Sequence, residues 1–357
     1  MKVVHVTQPV EAGVAKVVLD LVLAQRAAGW DVHVICPPDG WLPDQLDTIH
    51  PWRATRSPGP SALRETLRLR KLLRELRPDV VHLHSSKAGL IGRLAVRGRT
   101  PTIFQPHLWS FRLSDGLLRE ACTAWEAFAS RWTQQLVCVS DDELESGRAA
   151  GVTAPAEVVC NGVDTARLRP SHRIEARQRL GLPERPTVVC IGRVTRQKGQ
   201  DLLLAAWPAV LADVPEAQLV LVGDGPMRTV WQDDQESVLW WGHSDDAEAF
   251  YAAADVVVLP SRAEGMALVP LEAMACGRSV VAFDVDGVRQ SLGPAGALVP
   301  KEDVVALGQE LSARLAYPSL ADHEGRTGRR RAETLFDRGR MTDQIITLVE
   351  KLEGEAR

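Results

Sequence analysis

Two carboxylates, Glu264 and Glu272, stand eight residues apart in the stretch SRAEGMALVPLEAMACG, residues 261–277. Carboxylates accept hydrogen bonds from hydroxyl pairs, the groups a ribose or a sugar ring displays. Before them, the run Val256–Leu259 is apolar and β-branched, as a buried strand requires. Pro260-Ser261 ends it, a loop carries Glu264 and Gly265, and a helix is expected from near Ala267 with Glu272 in its second turn. One acid before the helix and one inside it can line a single crevice at a strand's carboxyl end, where open α/β sheets bind ligands. Decoration of a helix N-terminus by acids is the alternative, and it suits Glu264 better than Glu272.

Two cations belong to the same picture. Arg193 and Lys198 follow the strand-like run Thr187–Ile191, in the loop that opens with Gly192. Arg forks two phosphate oxygens and Lys supplies a compact charge. Beside two hydroxyl-binding acids, they suit a ligand holding a diphosphate and a ribose. Either cation alone would equally be a solvated loop residue.

The elements that must hold these groups recur in both halves. Val3–Thr7 is expected as a strand, followed by a short loop through Glu11-Ala12-Gly13, a helix to Ala28 closed by Gly29, and a strand over Asp31–Cys36. This is the βαβ opening of a parallel sheet. One glycine does not make a dinucleotide fingerprint, although Gly13 at a helix start could bring backbone amides near a phosphate or hydroxyl. Residues 37–60, with their Pro, Gly and Trp, read as loop. Ser61–Arg77 is a helix with six basic and two acidic residues. It is either a sheet-packing helix with a solvated basic face or a contact for an anionic membrane surface or lipid-linked acceptor.

Asp79–His84 is a further strand, with His82 and His84 on one face. The pair invites a metal, but no third and fourth ligand is in view, so hydrogen bonding at the strand end is expected instead. After the strand Pro101–Gln105, His107 stands where a substrate contact would sit. Helix is expected over Ser114–Trp132 and strand over Gln135–Val139. Ser140-Asp-Asp-Glu143 reads as a capping box rather than a catalytic acid cluster. A strand over Glu157–Cys160 precedes TARLRPSHR, a polar linker. The second half has strands at 187–191, 218–222, 238–242, 256–259 and 279–283, with helices near 201–212, bent by Pro208, and near 245–254, 302–316 and 337–354.

At 357 residues, 45% hydrophobic and 25% charged, the chain suits two ordinary globular domains. No apolar run approaches the roughly 20 residues of a membrane span, and MKVVHVTQPV is too short a strand-like start for a signal peptide. Six scattered cysteines without a C-x-x-C predict buried thiols in a reducing cytoplasm. The first 170 residues carry 21 Lys and Arg against 18 Asp and Glu, and the remainder 21 against 28. Neither balance is a nucleic-acid footprint.

The motifs IGRVTRQKGQDLLLAA, LVGDGP, WGH, VVVLPSRAEGMALVPLEAMACG and VVAFDVDG, in that order, resemble the retaining GT-B glycosyltransferases, with glycosyltransferase family 4 as the nearest group. The resemblance extends forward through HVTQPVEAGVAKVV, RPDVVHLHSSKAG, QPH and CNGVD, and so covers nearly the whole chain. It implies an α/β fold of two Rossmann-like domains with parallel sheets facing across a cleft. Residues 1–165 would form the acceptor domain, 166–183 the linker and 184–335 the nucleotide-sugar donor domain. The last helix, 336–357, would cross back to the first domain.

The resemblance also implies roles. Arg193 and Lys198 would bind the donor diphosphate beside Gly192, and Glu272 the ribose hydroxyls. Glu264 would meet the transferred sugar, bordered by Gly265, Met266, Ala267 and Leu268. His107 would face that sugar from the N-terminal domain, and Gly13 would approach phosphate or acceptor. Catalysis would rest on Arg193, Lys198, His107 and Glu264, without a metal or other cofactor and without a protein nucleophile. The leaving phosphate would take the acceptor's proton, and domain closure would exclude water.

Two departures bear on the donor. Ala12 stands where a second glycine is common, and Met266-Ala267 replaces a Phe-Gly pair, setting a methyl against the sugar. Asp284-Val-Asp286 follows the last parallel strand, so it reads as loop and capping rather than as a metal-chelating D-x-D. A UDP-sugar is expected ahead of a GDP-sugar. The acceptor stays open among glycan, lipid-linked sugar and small molecule, in a cytoplasmic chain for which peripheral membrane contact through 61–77 is an open alternative. A nucleotide-sugar epimerase on the same fold and a non-catalytic nucleotide-sugar-binding protein are the rival readings.

Overall fold

The computed structural model describes residues 1–55 and 59–356. The chain forms two compact units, one of Met1–Asn161 with Arg338–Arg357 and one of Gly162–Asp337.

The first unit opens with β1 (Lys2–Thr7), α1 (Ala12–Ala27), β2 (Asp31–Cys36), α2 (Trp41–Asp44) and β3 (His50–Pro51). It continues with α3 (Ala62–Leu76), β4 (Val80–His84), α4 (Ser85–Val96), β5 (Thr102–Gln105) and α5 (Gly116–Ala129). β6 (Gln135–Cys138), α6 (Asp141–Ala149) and β7 (Ala156–Val158) complete its sheet. The strand order is β3-β2-β1-β4-β5-β6-β7, and every pair is parallel. The order reverses between β1 and β4, which defines the switch point at their carboxyl ends.

The second unit holds α7 (Arg173–Leu180), β8 (Thr187–Ile191), α8 (Gln200–Asp213), β9 (Gln218–Val222), α9 (Arg228–Trp231) and β10 (Val238–Gly242). α10 (Ala247–Ala253), β11 (Val256–Leu259), α11 (Leu268–Ala275), β12 (Ser279–Phe283), α12 (Val288–Leu292) and β13 (Gly296–Val299) follow. α13 (Val304–Ala316) and α14 (Pro318–Leu335) close it, and α15 (Arg338–Ala356) packs on α1 of the first unit. Its six parallel strands run β10-β9-β8-β11-β12-β13, so its switch point lies between β8 and β11.

Each sheet is buried on both faces, which explains the continuous apolar runs of its central strands. β4, β9, β11 and β12 are buried at every position. Trp207 of α8 and Phe283 of β12 are fully buried in the second core, and Phe104 and Trp109 nearly so in the first. Each such side chain contributes about 1.5–3 kcal/mol of apolar burial or more.

Several expectations need correction. Residues 37–60 are not all loop: they contain α2 and the edge strand β3, and 56–58 lie outside the described residues. The segment expected as linker contains α7, closed by Gly181 in the left-handed region. α7 packs on α10 because buried Arg177 bonds the Ala253 carbonyl, Asp255 and Glu184. α4, α14 and β13 have no counterpart in the sequence reading, so 279–283 is not the last parallel strand: β13 pairs beyond it at the sheet edge. The expected helix over 114–132 begins at Gly116 and tightens to a 3₁₀ turn over Ser130–Trp132. Ser140 does cap α6, its hydroxyl accepting from Glu143 N at 3.1 Å. Cys36, Cys138, Cys190 and Cys276 are buried, and burial pushes the thiols of Cys36, Cys190 and Cys276 up to about 12.

Candidate active site

The loops after β8 and β11 flank the second unit's switch point, and with α11, which follows the second loop, they carry the four groups singled out by chemistry. Lys198 ends a 3₁₀ turn, Arg196–Lys198, in the first loop. Its Nζ lies 2.6 Å from Glu264 Oε1 in the second. Only a fifth of the Lys198 side chain and a tenth of Glu264 reach solvent, so this is a largely desolvated ion pair.

Two features hold the loops together. Gly199, at φ +73°, caps α8 where an added Cβ would meet the Pro260 carbonyl at 1.9 Å, so the start of α8 and the end of β11 approach as only glycine permits. Arg262 then clasps both loops: it grips Asp201 through two hydrogen bonds of 2.8 Å and bonds the Arg196 carbonyl and Glu302. These partners raise its pKa.

Glu272 lies in α11, 6% exposed, and its Oε2 accepts a hydrogen bond from Tyr251 Oη at 2.7 Å. Burial and the neighbouring carboxylate hold the Tyr251 hydroxyl well above its usual pKa, so it remains a donor. The contact fixes one carboxylate oxygen. Sequence reasoning missed Tyr251, and the only signal was a tyrosine in a segment otherwise rich in alanine. Gly265, Met266 and Ala267 are buried between β11 and α11, with Leu268 the first residue of that helix. Ala267, not a polar side chain, occupies the cap. Gly192 and Arg193 follow β8 directly, and the Arg193 carbonyl accepts from Gln200 Nε2.

Asp284 is engaged by Arg289 in the loop after β12. The loop reading of Asp284-Val-Asp286 holds, but the capping does not: Gly287 is the N-cap of α12, and no side chain bonds there.

Gly13 and His107 belong to the first unit. Gly13 lies in the first turn of α1, after Ala12 at φ +60°, and Glu11 N-caps the helix without a side-chain bond. Ala12 thus takes the left-handed conformation that glycine adopts more easily. His107 follows β5, also with positive φ, +61°. Its Nε2 lies 3.2 Å from His84 Nδ1, at the end of β4. The hydrogen bonding expected at that strand end is therefore present. The third imidazole that the sequence left out of view is His5 of β1, whose ring nitrogen joins those of His82 and His84 within 4.8 Å. β1 and β4 pair in register, His5 against His82.

The basic face of α3 also differs from a plain solvated stripe. Glu65 is buried and pairs with Lys87 of α4 at 2.7 Å, while Leu63 and Leu67 are exposed beside Arg64 and Arg68. No described helix is long and apolar enough to cross a membrane.

Comparison with known proteins agrees with this geometry. The model of the glycosyl transferases group 1 matches residues 185–316, and that of glycosyltransferase family 4 matches residues 12–167. Together they take in more than half of the chain. The UDP-Gal:alpha-D-GlcNAc-diphosphoundecaprenol alpha-1,3-galactosyltransferase of Escherichia coli is 28% identical over 310 residues, 80% of either chain. The GDP-mannose-dependent alpha-(1-6)-phosphatidylinositol monomannoside mannosyltransferase of Mycolicibacterium smegmatis is 35% identical over 200 residues, 51% of this chain and 52% of that one. An Anabaena protein solved in complex with UDP-glucose has the same fold, with a TM-score of 0.83 at 21% identity over 98% of this chain and 100% of that one. With two parallel-sheet units and a paired cation and acid at a switch point, the chain belongs to the nucleotide-sugar glycosyltransferases of the family 4 type, on the GT-B fold.

Proposed function

We propose that the protein moves a hexose-type sugar from a nucleoside-diphosphate sugar, UDP-linked ahead of GDP-linked, to an acceptor hydroxyl with retention of configuration and without a metal ion. The observation that carries this reading is the Lys198–Glu264 contact of 2.6 Å across the two loops of the switch point. Lys198 and Arg193 supply fixed positive charge for a departing diphosphate, aided by the amino-terminal end of α8. Glu264 is engaged by Lys198 and Glu272 by Tyr251. Both acids are thereby suited to hold hydroxyls rather than to attack carbon, which supports a leaving phosphate that itself accepts the acceptor's proton. The pairing of Asp284 with Arg289 favours charge stabilisation by side chains over a chelated cation.

A UDP-galactose enzyme among the relatives and UDP-glucose in the Anabaena complex support the preferred donor, and the GDP-mannose enzyme the second choice. The diphosphoundecaprenol and phosphatidylinositol acceptors in the relatives' names favour a lipid-linked or glycan acceptor. Peripheral contact through α3 would suit such an acceptor, since exposed Leu63 and Leu67 sit among basic side chains.

A panel of nucleotide sugars tests the reading by release of nucleoside diphosphate, with and without EDTA. Turnover should persist in EDTA, and NMR of the product should show the donor's anomeric configuration. Activity lost in EDTA and restored by Mn²⁺ would overturn the metal-free mechanism. Isomerised donor without acceptor would mark an epimerase, and binding without release a sensor.

A further inference from the structure

The histidines of the first unit form a chain whose direction can be read from its end. Gln25 of α1 and His5 of β1 are fully buried, and Gln25 Oε1 lies 2.7 Å from His5 Nε2. An amide oxygen only accepts, so the proton sits on His5 Nε2. A neutral imidazole has one N–H, which leaves His5 Nδ1 as an acceptor. Its partner at 2.9 Å, His84 Nε2, must therefore donate. The same step makes His84 Nδ1 an acceptor, served at 3.2 Å by the Nε2–H of His107.

Neutrality of the rings follows from their surroundings. Burial lowers His5 to about 4 and His107 to about 3, and holds His84 well below the usual range. His82, stacked on His84 with centroids 4.0 Å apart, is likewise held neutral. With the neighbouring tautomers held as above, a second proton on His5 or His84 would set two N–H groups against each other.

At the far end His107 is only partly buried and has the positive φ of a residue held against its local preference. Among the described residues, no hydrogen bond to its Nδ1 is formed. We propose that Gln25, His5 and His84 are positioning residues that lock His107 as its Nε2–H tautomer, so that Nδ1 offers a lone pair to a hydroxyl of the sugar substrates. His107 then accepts a hydrogen bond and cannot donate one from that nitrogen. This rests on the transferase reading above.

The tautomer can be read without substrate. In the full chain labelled with ¹⁵N-histidine and assigned by single His→Gln variants, His5, His84 and His107 should each carry the proton on Nε2 at pH 7. A proton on Nδ1 of His107, which a turned Gln25 amide would produce, overturns the proposal, as does an imidazolium. Binding of added Zn²⁺ to the three-histidine group, seen as loss of these signals, would also overturn it. Gln25→Met keeps side-chain volume but removes the terminal acceptor. It should turn His107 into a mixture of tautomers and lower kcat about fivefold, the worth of one neutral hydrogen bond, with donor KM held. An unchanged His107 tautomer in that variant refutes the chain. The expected tautomers in a protein that turns over no nucleotide sugar would refute the transferase reading and leave the chain standing.

Discussion

Replacing Lys198 by Met removes the ammonium while keeping most of the apolar stem. If Lys198 stabilises the departing diphosphate, the lost electrostatic donor raises the barrier by about 2–4 kcal/mol, which is roughly 30- to 1,000-fold in kcat/KM. The 2.6 Å contact introduces a second effect, because Glu264 would be left largely buried without its partner. That unpaired carboxylate costs about 1–3 kcal/mol of stability, and a fall in activity could then reflect a disturbed loop. A double-mutant cycle separates the two. Glu264→Gln removes the charge that needs a partner, so Lys198→Met in that background should restore the thermal midpoint but not the rate. The assay is nucleoside diphosphate release at varied donor concentration, alongside thermal unfolding. If the double variant turns over within about twofold of Glu264→Gln alone, Lys198 serves only to hold Glu264, and the assignment to the leaving group is wrong.

Tyr251→Phe deletes the donor to Glu272, and a hydrogen bond to a charged group is worth about 1.5–3 kcal/mol. Donor kcat/KM should fall roughly 10- to 100-fold, mainly through KM, and steady-state kinetics showing no change in KM would separate Tyr251 from donor binding. Gly199→Ala sets a Cβ against the Pro260 carbonyl at a positive φ, so denaturant unfolding should show a loss of at least about 2 kcal/mol; a neutral result would mean that the loops shift freely. Stability should also decline as pH falls from about 6.5 towards 4. The unfolded chain binds a proton at His5 near 6.5, whereas the folded chain, with His82, His84 and Arg26 facing that ring, takes it up only near 4. His5 alone therefore contributes roughly 3 kcal/mol that is fully present above 6.5 and lost across that window. A flat stability profile between pH 6.5 and 5 would contradict neutral burial of the cluster.

The central strands of both sheets, the loop position of Arg193, Lys198 and Glu264, the helical position of Glu272 and the capping role of Ser140 were legible in the sequence, because each depends on local periodicity or on a motif within a few residues; the short edge strands β3 and β13 were not. α4 escaped that reading because it is pressed against the sheet on several sides rather than amphipathic. An added Cβ at Gly89 would strike the Phe104 ring at 2.3 Å, so glycine there serves packing at the expense of helix propensity. α14 escaped because its polar residues point inward to specific partners: Glu324 to Ser279 and Arg314, and Arg329 to the carbonyls of Leu168 and Ala275.

By itself, then, the sequence determined the fold class and which loops carry charge, since backbone alternation and strand-end punctuation are properties of neighbouring residues. Only the tertiary structure decided that Tyr251 steadies Glu272, that Arg262 clasps two loops, and that Gln25 and His5 stand behind His84 and His107. Those contacts join residues 20 to 79 positions apart, and they exist only because parallel strands bring distant segments into register within a buried, low-dielectric interior where each polar group must find a partner.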